Sequence, residues 1–492
     1  MKKFFEKHDL IKMAGIMVII AVIFSWILKY CYFSSGSLII AGTSGNNVVD
    51  GSTAGIYDMN TYSILGLYYF TNIFVYILVV FGFYKFLGTL DSYQALTDKI
   101  AKKFKGKEKI FVAISLAIYA FLASIFSNAF ALIVFVPFTI SIAKKLHLDK
   151  ITSLISSFGG ILLGTLCSTY GTGVAGILTD SSNGLGVTYG YAMLPTIVIG
   201  IIGYIILLAL TFNRINDDSN EEVSDLLTEK EEKVVTKKMS KRLKRKKENV
   251  VPILVVLIIM CALFILGYVD WSTSFGFTGF TNLHTSLSEA TLESSPLNAI
   301  LFALLGSTTL PAFGSWDLFT GASTLIILSF IIAFIYNTKL DDMISSFGEG
   351  VKDSIKSCGI LLIVYAVLVL SVSYPTIPGI INQLDLLLDN TILKPFGWLL
   401  NSFITSAFTI DFTYTVSLIG SLFAKFSNLN AAALALQAGY GLFCFLCPTS
   451  VVLVLGLSTL DIKFKDYFKF IWKFLLALLI VILIVLYILI YV

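Results

Sequence analysis

Two apolar runs of this sequence are interrupted by the same pattern of small and polar residues, Ser124-Ile-Phe-Ser127-Asn128-Ala-Phe130 and Ser402-Phe-Ile-Thr405-Ser406-Ala-Phe408. A second matching pair follows at a nearly equal distance, Leu166-Cys-Ser-Thr169 and Leu446-Cys-Pro-Thr449. Short matches arise by chance in apolar sequence, but two pairs in the same order are typical of a duplicated unit. The sequence therefore predicts an internal repeat.

The composition of the chain sets its class. Of its 492 residues, 57% are apolar and 13% are charged, whereas soluble domains have roughly 45–50% apolar and about 25% charged residues. The charged residues are concentrated in a few short stretches that separate long apolar intervals. This pattern excludes a soluble globular protein and predicts an all-α polytopic membrane protein with about 10–13 transmembrane helices.

A polar linker divides the chain, because residues 214–249 change from acidic to strongly basic between two apolar spans. A basic run can also bind nucleic acid or anionic lipid, but this one directly precedes a span and is interpreted as a cytoplasmic topology signal. We predict five units, which are an extra N-terminal span and loop (1–62), a first transmembrane repeat (63–213), the charged linker (214–249), connecting spans with an external loop (250–322) and a second transmembrane repeat (323–492).

Charge also indicates how the two repeats are oriented. An amphipathic segment precedes the interrupted region in each half, 91–109 with mostly lysines and 341–356 with more acidic than basic residues. A basic and an acidic copy fit opposite faces of a membrane, so we predict inverted repeats. This arrangement requires an odd number of crossings between 250 and 336, and it therefore requires 297–310 to cross the membrane.

Polar breaks inside apolar spans indicate a binding site. A peptide group without a partner in hydrocarbon costs several kcal/mol, so a break survives only inside protein or beside a cavity. Secondary transporters bind substrate and coupling ion at such breaks. A single hydroxyl commonly bonds its own or a neighbouring helix, but the clustering here favours a site. The candidate substrate- or ion-binding residues are Ser127, Asn128, Thr169, Thr172, Thr405, Ser406, Asp411, Thr449 and Ser450.

Asp411 is the sharpest single candidate. It lies in an apolar and hydroxyl-rich stretch, and a lone acid at membrane depth is costly enough to be a functional hypothesis by default. It could bind a cation, accept a coupling proton or face an amino group of the substrate. The alternative is that residues 408–414 form an interfacial turn with Asp411 in water.

Other motifs do not predict chemistry. Cys444 and Cys447 have C-x-x-C spacing in an apolar run, where we expect small buried packing residues. Gly171, Gly173 and Gly176 match G-x-G-x-x-G, but no strand precedes them, which excludes a dinucleotide site. The three histidines lie beside loop or charged sequence, so no metal site is predicted. The apolar core offers no catalytic set of side chains, which argues against an enzyme.

The segment 434–456, LALQAGYGLFCFLCPTSVVLVLG, together with FKDYFK at 464–469, resembles the carboxy-terminal region of the YfcC-like and C4-dicarboxylate anaerobic carriers. The resemblance implies the ion transporter superfamily, whose members have inverted repeats that each carry a re-entrant hairpin and a broken helix. It also implies dicarboxylates or basic amino acids as substrates. Ser127-Asn128-Ala129 departs from the acidic residues usual in YfcC-like proteins and is similar to the Ser-Asn-Thr signature of sodium–dicarboxylate members.

The sequence thus predicts a multi-pass secondary active transporter of the cytoplasmic membrane. It would move a small carboxylate, such as a dicarboxylate, or an amino acid by alternating access, through exchange or through coupling to sodium or a proton. The expected partners are this substrate and the lipid bilayer, without nucleic acid or another cofactor, and a homodimer stays open. The alternatives are a membrane-embedded enzyme or lipid-handling protein, and a channel.

Overall fold

The computed structural model describes residues 9–31, 53–170, 173–182, 184–188, 190–218, 249–306, 311–374, 393–423 and 428–491. These residues are helical, apart from loops and one isolated antiparallel bridge between Phe126 and Val269. The helices are α1 (Asp9–Cys31), α2 (Ile56–Tyr69), α3 (Thr71–Thr89), α4 (Asp91–Phe104), α5 (Glu108–Ile125), a 3-10 segment (Ala129–Phe135), α6 (Val136–Lys145), α7 (Lys150–Leu166, with a π-helical turn at Ile155–Gly159), α8 (Val174–Thr179), α9 (Met193–Asp218), α10 (Val251–Tyr268), α11 (Trp271–Phe275), α12 (Gly279–Ser288), α13 (Pro296–Leu305), α14 (Leu318–Ile335), α15 (Leu340–Ser373), α16 (Lys394–Thr409), α17 (Phe412–Phe423), α18 (Leu429–Leu446), α19 (Val451–Thr459) and α20 (Phe464–Tyr491).

Nine helical segments in the described part of the chain are long and apolar enough to cross a membrane. They are α1, α3, α5, α9, α10, α14, α15, α18 together with α19, and α20. A helix of 18 residues is about 27 Å long, close to the roughly 30 Å of a hydrocarbon core. The predicted all-α polytopic membrane fold is therefore confirmed.

Corresponding helices of the two halves pack antiparallel to each other. Where α2 and α3 meet α15, Gly66 lies against Tyr365 and Lys85 pairs with Asp353 at 2.7 Å, so residue numbers rise along one helix as they fall along the other. Two further pairs cross in the same way, α9 with α20 (Gly203 near Leu478, Arg214 over the ring of Phe470) and α7 with α18 (Leu166 near Gly441, Ser168 near Gln437).

Each half also contains the same close helix pair, α5 on α7 in the first half and α16 on α18 in the second. A glycine makes each approach possible. A Cβ at Gly164 would come within 2.2 Å of the Ala120 carbonyl oxygen, and one at Gly439 within 2.5 Å of the Ser402 Cβ. Small residues of this kind let helix backbones approach closely inside membranes. The matched pairs support the internal repeat.

The end of the bundle where α3 finishes and α15 starts collects basic side chains, and we name it the basic end. Four ion pairs lie there, Lys85–Asp353, Lys145–Asp98, Arg214–Asp149 and Lys356–Asp461. The connection between α19 and α20 reaches the same end, because Lys150 Nζ lies 3.5 Å from the Asp461 carbonyl oxygen.

This geometry contradicts the prediction that segments 91–109 and 341–356 lie on opposite faces. Lys85, six residues before α4, pairs with Asp353 of the second segment, so both segments lie at the basic end. The prediction was wrong because the positive-inside rule counts lysine and arginine, whereas acidic residues contribute little.

The required crossing by 297–310 is not supported either, within the part of that segment that the structure describes, which ends at residue 306. Helix α13 has ten residues, about 15 Å of length, which is about half the thickness of a hydrocarbon core. Helices α10 and α14 make two crossings, which return the chain to the basic end before α15. The inversion instead arises because α3 runs toward the basic end, whereas its counterpart α15 starts at the basic end and runs away from it.

Candidate functional site

The first break follows α5, where Phe126 and Ser127 leave the helix in an extended conformation. Phe126 forms the bridge to Val269 at the end of α10. The backbone N–H and the hydroxyl of Ser127 both donate to the Tyr268 carbonyl oxygen, at 2.8 and 2.9 Å. The Tyr268 carbonyl is the last one of α10 and has no N–H partner within that helix. Its hydrogen bonds with Ser127 therefore satisfy polar groups of both the helix end and the break.

Asn128 begins the segment of chain that follows this break. Its Oδ1 accepts a hydrogen bond from the Phe130 N–H at 3.0 Å and caps the 3-10 segment that leads into α6. Asparagine is among the preferred residues for this position, because its short side chain reaches the free N–H groups of the first turn. The amide NH₂ of Asn128 is a donor available beside the break.

The second break of the first half lies directly against the first one. The Ser124 carbonyl oxygen accepts from the Thr169 N–H at 3.3 Å and from the Ser168 hydroxyl at 3.4 Å. A side chain at Gly173 would come within 2.8 Å of the Ser127 carbonyl oxygen. The structure therefore brings Ser127, Asn128 and Thr169 together as predicted, whereas the candidate Thr172 lies outside the described residues.

In the second half the chain breaks at Ile410 in a tight turn. Ile410 has φ 63° and ψ −44°, and the Asp411 N–H donates to the Thr409 carbonyl oxygen at 2.5 Å. This is the γ-turn geometry, which is rare and strained. A β-branched residue at positive φ costs of order 1–3 kcal/mol and persists only where the surrounding structure imposes it, most often at functional sites.

Asp411 follows this turn and caps α17. Its Oδ1 accepts from the Thr413 N–H at 2.8 Å, the same bond to the second residue onward that Asn128 makes. The carboxylate is partly buried and lies within electrostatic range of the Tyr365 and Tyr440 phenols. Asp411 lies between α16 and α17, but its hydrogen bond to the Thr413 N–H is exposed, so the alternative of an interfacial turn with Asp411 in water stays open.

Buried hydroxyls surround the start of α17. The Thr415 hydroxyl lies 2.7 Å from that of Thr409 and 3.2 Å from that of Ser406. The Thr405 hydroxyl, on a residue with no exposed surface, has no hydrogen-bond partner among the described residues. A buried hydroxyl without a partner is costly, so Thr405 and its neighbours offer oxygen atoms for a ligand.

The second break of this half lies between α18 and α19. The Thr449 hydroxyl donates to the Ala407 carbonyl oxygen at 2.9 Å, just as Ser168 donates to Ser124 in the first half. Ser450 is buried at the start of α19, and its side chain makes no capping bond to that helix. The first-turn N–H groups of α19 are consequently available to an anion.

These contacts align the two halves differently from the sequence match. The capping bonds pair Asn128 with Asp411, whereas the sequence match pairs Asn128 with Ser406, five residues earlier. Thr405 and Ser406 therefore lie inside α16 and not at the break itself. Ser406 still reaches the break through Thr415.

Sequence analysis did not assign a function to Gln437, which joins the two halves. Its Nε2 donates to the Leu166 and Ser168 carbonyl oxygens, at 2.9 and 2.7 Å, and its Oε1 accepts from the Tyr191 hydroxyl. The side chain is fully buried. The only signal in the sequence was an amide inside the apolar stretch of α18, a type of residue that often bonds across membrane helices.

The expected packing of the cysteines agrees with the structure, since Cys444 and Cys447 are buried free thiols. Among the described residues, no group of three or more histidine, cysteine or acidic side chains could hold a metal ion.

Comparison with known families adds one finding that covers nearly the whole chain. The family model DcuC, described as C4-dicarboxylate anaerobic carrier, matches residues 8–491. No curated protein sequence matches the chain. Among solved structures, that of Neisseria gonorrhoeae MtrF, described within a class of antimetabolite efflux pumps, is similar with a TM-score of 0.41 and 12% identity over 98% of this chain and 95% of that one.

Proposed function

Since the chain belongs to the DcuC family of C4-dicarboxylate anaerobic carriers and is therefore a membrane transporter, we propose that it moves a small carboxylate by alternating access around the paired helix breaks. The observation that carries this proposal is the equivalence of the two halves. In each, a hydroxyl of one break donates to the last carbonyls of the neighbouring helix, and an Asn or Asp caps the following limb.

The second half offers groups for both signs of charge. Helix α19 begins at Val451, and Ser450 before it makes no side-chain capping bond, so the N-terminus of the helix suits a carboxylate. Helix α17 begins at Asp411, whose carboxylate suits a cation. Ser450 and Asp411 both lie near Cys444. We propose that the substrate carboxylate binds near Ser450 and Thr449 and that a coupling sodium ion or proton binds at Asp411.

The first half supplies neutral groups to the same mechanism. Ser127, Asn128 and Thr169 meet at the two breaks of that half, where they can orient a second carboxylate through hydroxyl and amide donors. Thr405 and Ser406 add hydroxyls from α16 in the second half. Thr172 is included in the proposed site only because of its position in the sequence.

A second candidate substrate is an amino acid, and Asp411 is the observation that favours it. An ammonium group could take the place of the coupling cation, while the carboxylate of the same molecule binds at α19. The two candidates differ in their requirements, because a dicarboxylate needs a separate cation at Asp411 and a cationic amino acid does not.

We propose the cytoplasmic membrane as the location, with the basic end in the cytoplasm. The ion pairs that involve Lys85, Lys145, Arg214 and Lys356 support this orientation under the positive-inside rule. The repeats were predicted at 63–213 and 323–492 around the linker 214–249. The antiparallel packing of α2 and α3 on α15 supports an equivalent position for these helices in the two repeats.

Counterflow in proteoliposomes tests the function. Vesicles are loaded in turn with succinate, citrate, arginine, ornithine or a neutral amino acid, and labelled uptake is followed with and without sodium or a pH gradient. We expect saturable exchange of succinate that depends on one of the two cations. Saturable exchange of arginine or ornithine alone would support the second candidate, and non-saturable flux would indicate a channel. Absence of exchange across the panel by folded protein would refute the proposal.

A further inference from the structure

A cavity of about 270 Å³ opens at the basic end between the two halves of the protein. Helices α3 and α6 of the first half and α15 and α19 of the second half form its walls. Its size is close to the lower limit of about 300 Å³ for ligand pockets. The polar residues that line it are Tyr84, Lys85, Ser141, Lys144, Asp353 and Thr459. None of the residues proposed at the helix breaks is among its lining residues.

The charged side chains that line this cavity carry a net positive charge. Lys85 is paired with Asp353 at 2.7 Å. Lys144 makes no ion pair within the described part of the chain, whereas its neighbour Lys145 pairs with Asp98 at 2.6 Å and does not line the cavity. Two lysines against one carboxylate leave one ammonium group free to bind an anion.

A buried hydroxyl next to these lysines also lacks a partner. The Tyr84 hydroxyl, on a side chain that is 8% exposed, has no hydrogen-bond partner among the residues that the structure describes. Tyr84 lines the cavity together with Ser141. Buried phenol groups normally find an acceptor, and the wall contributes mainly donors.

We propose that this cavity is a second binding site for a small carboxylate anion, located on the path between the basic end and the helix breaks. It is named here the anion vestibule, formed by Tyr84, Lys85, Ser141, Lys144 and Thr459. The inference rests on the proposed function in one respect, which is that the anion is the substrate of the carrier. The vestibule would gather substrate on one face of the membrane only, through Lys144.

The test compares two neighbouring lysines. Lys144→Gln removes the free ammonium, and Lys145→Gln is the matched control that lies outside the vestibule. The half-saturation concentration, at which succinate uptake is half-maximal, is measured separately from each face of the membrane in proteoliposomes of known orientation. We expect Lys144→Gln to raise the half-saturation concentration about two- to fivefold at the basic end, in line with an exposed charge contact, and to leave the value at the opposite face unchanged. Lys145→Gln should change neither value.

Two transport results would overturn the inference. An unchanged half-saturation at the basic end would show that Lys144 does not bind substrate. An equal rise on both faces would show that the effect reaches the central site and that no one-sided vestibule exists.

A binding measurement separates this inference from the proposed function. Succinate should raise the melting temperature of the detergent-solubilised protein, and Lys144→Gln should weaken this protection while Lys145→Gln does not. The double variant Tyr84→Phe/Lys144→Gln should lose more of it. If the wild-type protein transports no anion but succinate protects it through Lys144, the proposed function fails and the vestibule stands. If Lys144→Gln leaves the protection intact, the vestibule fails.

Discussion

The amide of Gln437 links the two halves through two buried hydrogen bonds, and its removal tests this contact. Its Nε2 donates to the Leu166 and Ser168 carbonyl oxygens, at 2.9 and 2.7 Å, at the end of α7. Gln437→Met preserves much of the side-chain volume but removes both donors. The two carbonyls then remain buried at a helix end, where no helical N–H can reach them.

The expected loss of stability follows from these two bonds. A hydrogen bond between membrane helices contributes about 0.6 kcal/mol on average, because the unfolded reference state also finds partners. A buried acceptor left without any donor costs about 1–3 kcal/mol. Two bonds therefore give limits of roughly 1 and 6 kcal/mol, and we expect about 3 kcal/mol, because Gln437 is fully buried and water cannot replace it.

The assay is reversible unfolding in mixed detergent micelles, with Tyr191→Phe as the control. This control leaves one buried acceptor, Gln437 Oε1, without its donor and keeps both carbonyls satisfied, so it should cost about half as much as Gln437→Met, about 1.5 kcal/mol. If Gln437→Met loses less than about 0.5 kcal/mol, or no more than Tyr191→Phe, the amide does not hold the two halves together and the packing of α18 against α7 is wrong.

Further predictions address the breaks and the topology. Asp411→Asn should keep the cap of α17 and the melting temperature but slow counterflow at least about tenfold and abolish its cation dependence. Ile410→Gly and Ile410→Ala both remove a buried side chain, but only glycine relieves the positive-φ strain, so in the same micelle assay Ile410→Gly should be more stable than Ile410→Ala by about 1 kcal/mol. Thr405→Val should not lower stability but should raise the half-saturation concentration, since its buried hydroxyl has no partner to lose among the residues that the structure describes. Cysteines at Asp353 and at Asp317 should react with an impermeant thiol reagent from opposite faces.

Much of the fold could be predicted because its causes are local in the sequence. The length and composition of the apolar runs fixed the membrane-spanning helices, and polar residues inside such runs located the four breaks. The register of the repeat was harder. A string of small residues such as Ser127-Asn128-Ala129 recurs easily in apolar sequence, whereas the true equivalence depends on which residue caps the next limb. That residue is Asn128 in one half and Asp411 in the other.

The contacts between halves could not be predicted. Gln437 is an ordinary amide in sequence, and its function depends on the carbonyls that face it across the bundle. The membrane face on which segment 341–356 lies was mispredicted for a related reason. The position of its Asp353 is decided by Lys85, a residue more than 260 positions away in sequence.

Asn128 and Asp411 occupy equivalent positions, and the comparison shows which property of Asp411 the capping bond requires and which it does not. Both side chains accept from the N–H two residues onward and start a limb after a break. Asn128 shows that a neutral amide is sufficient for this task. A charged aspartate in a membrane-spanning bundle costs about 2.5–3.5 kcal/mol by insertion scales. The cap does not require that charge, which is consistent with our proposal that Asp411 binds a cation during transport, since such a cation would offset the cost of the carboxylate.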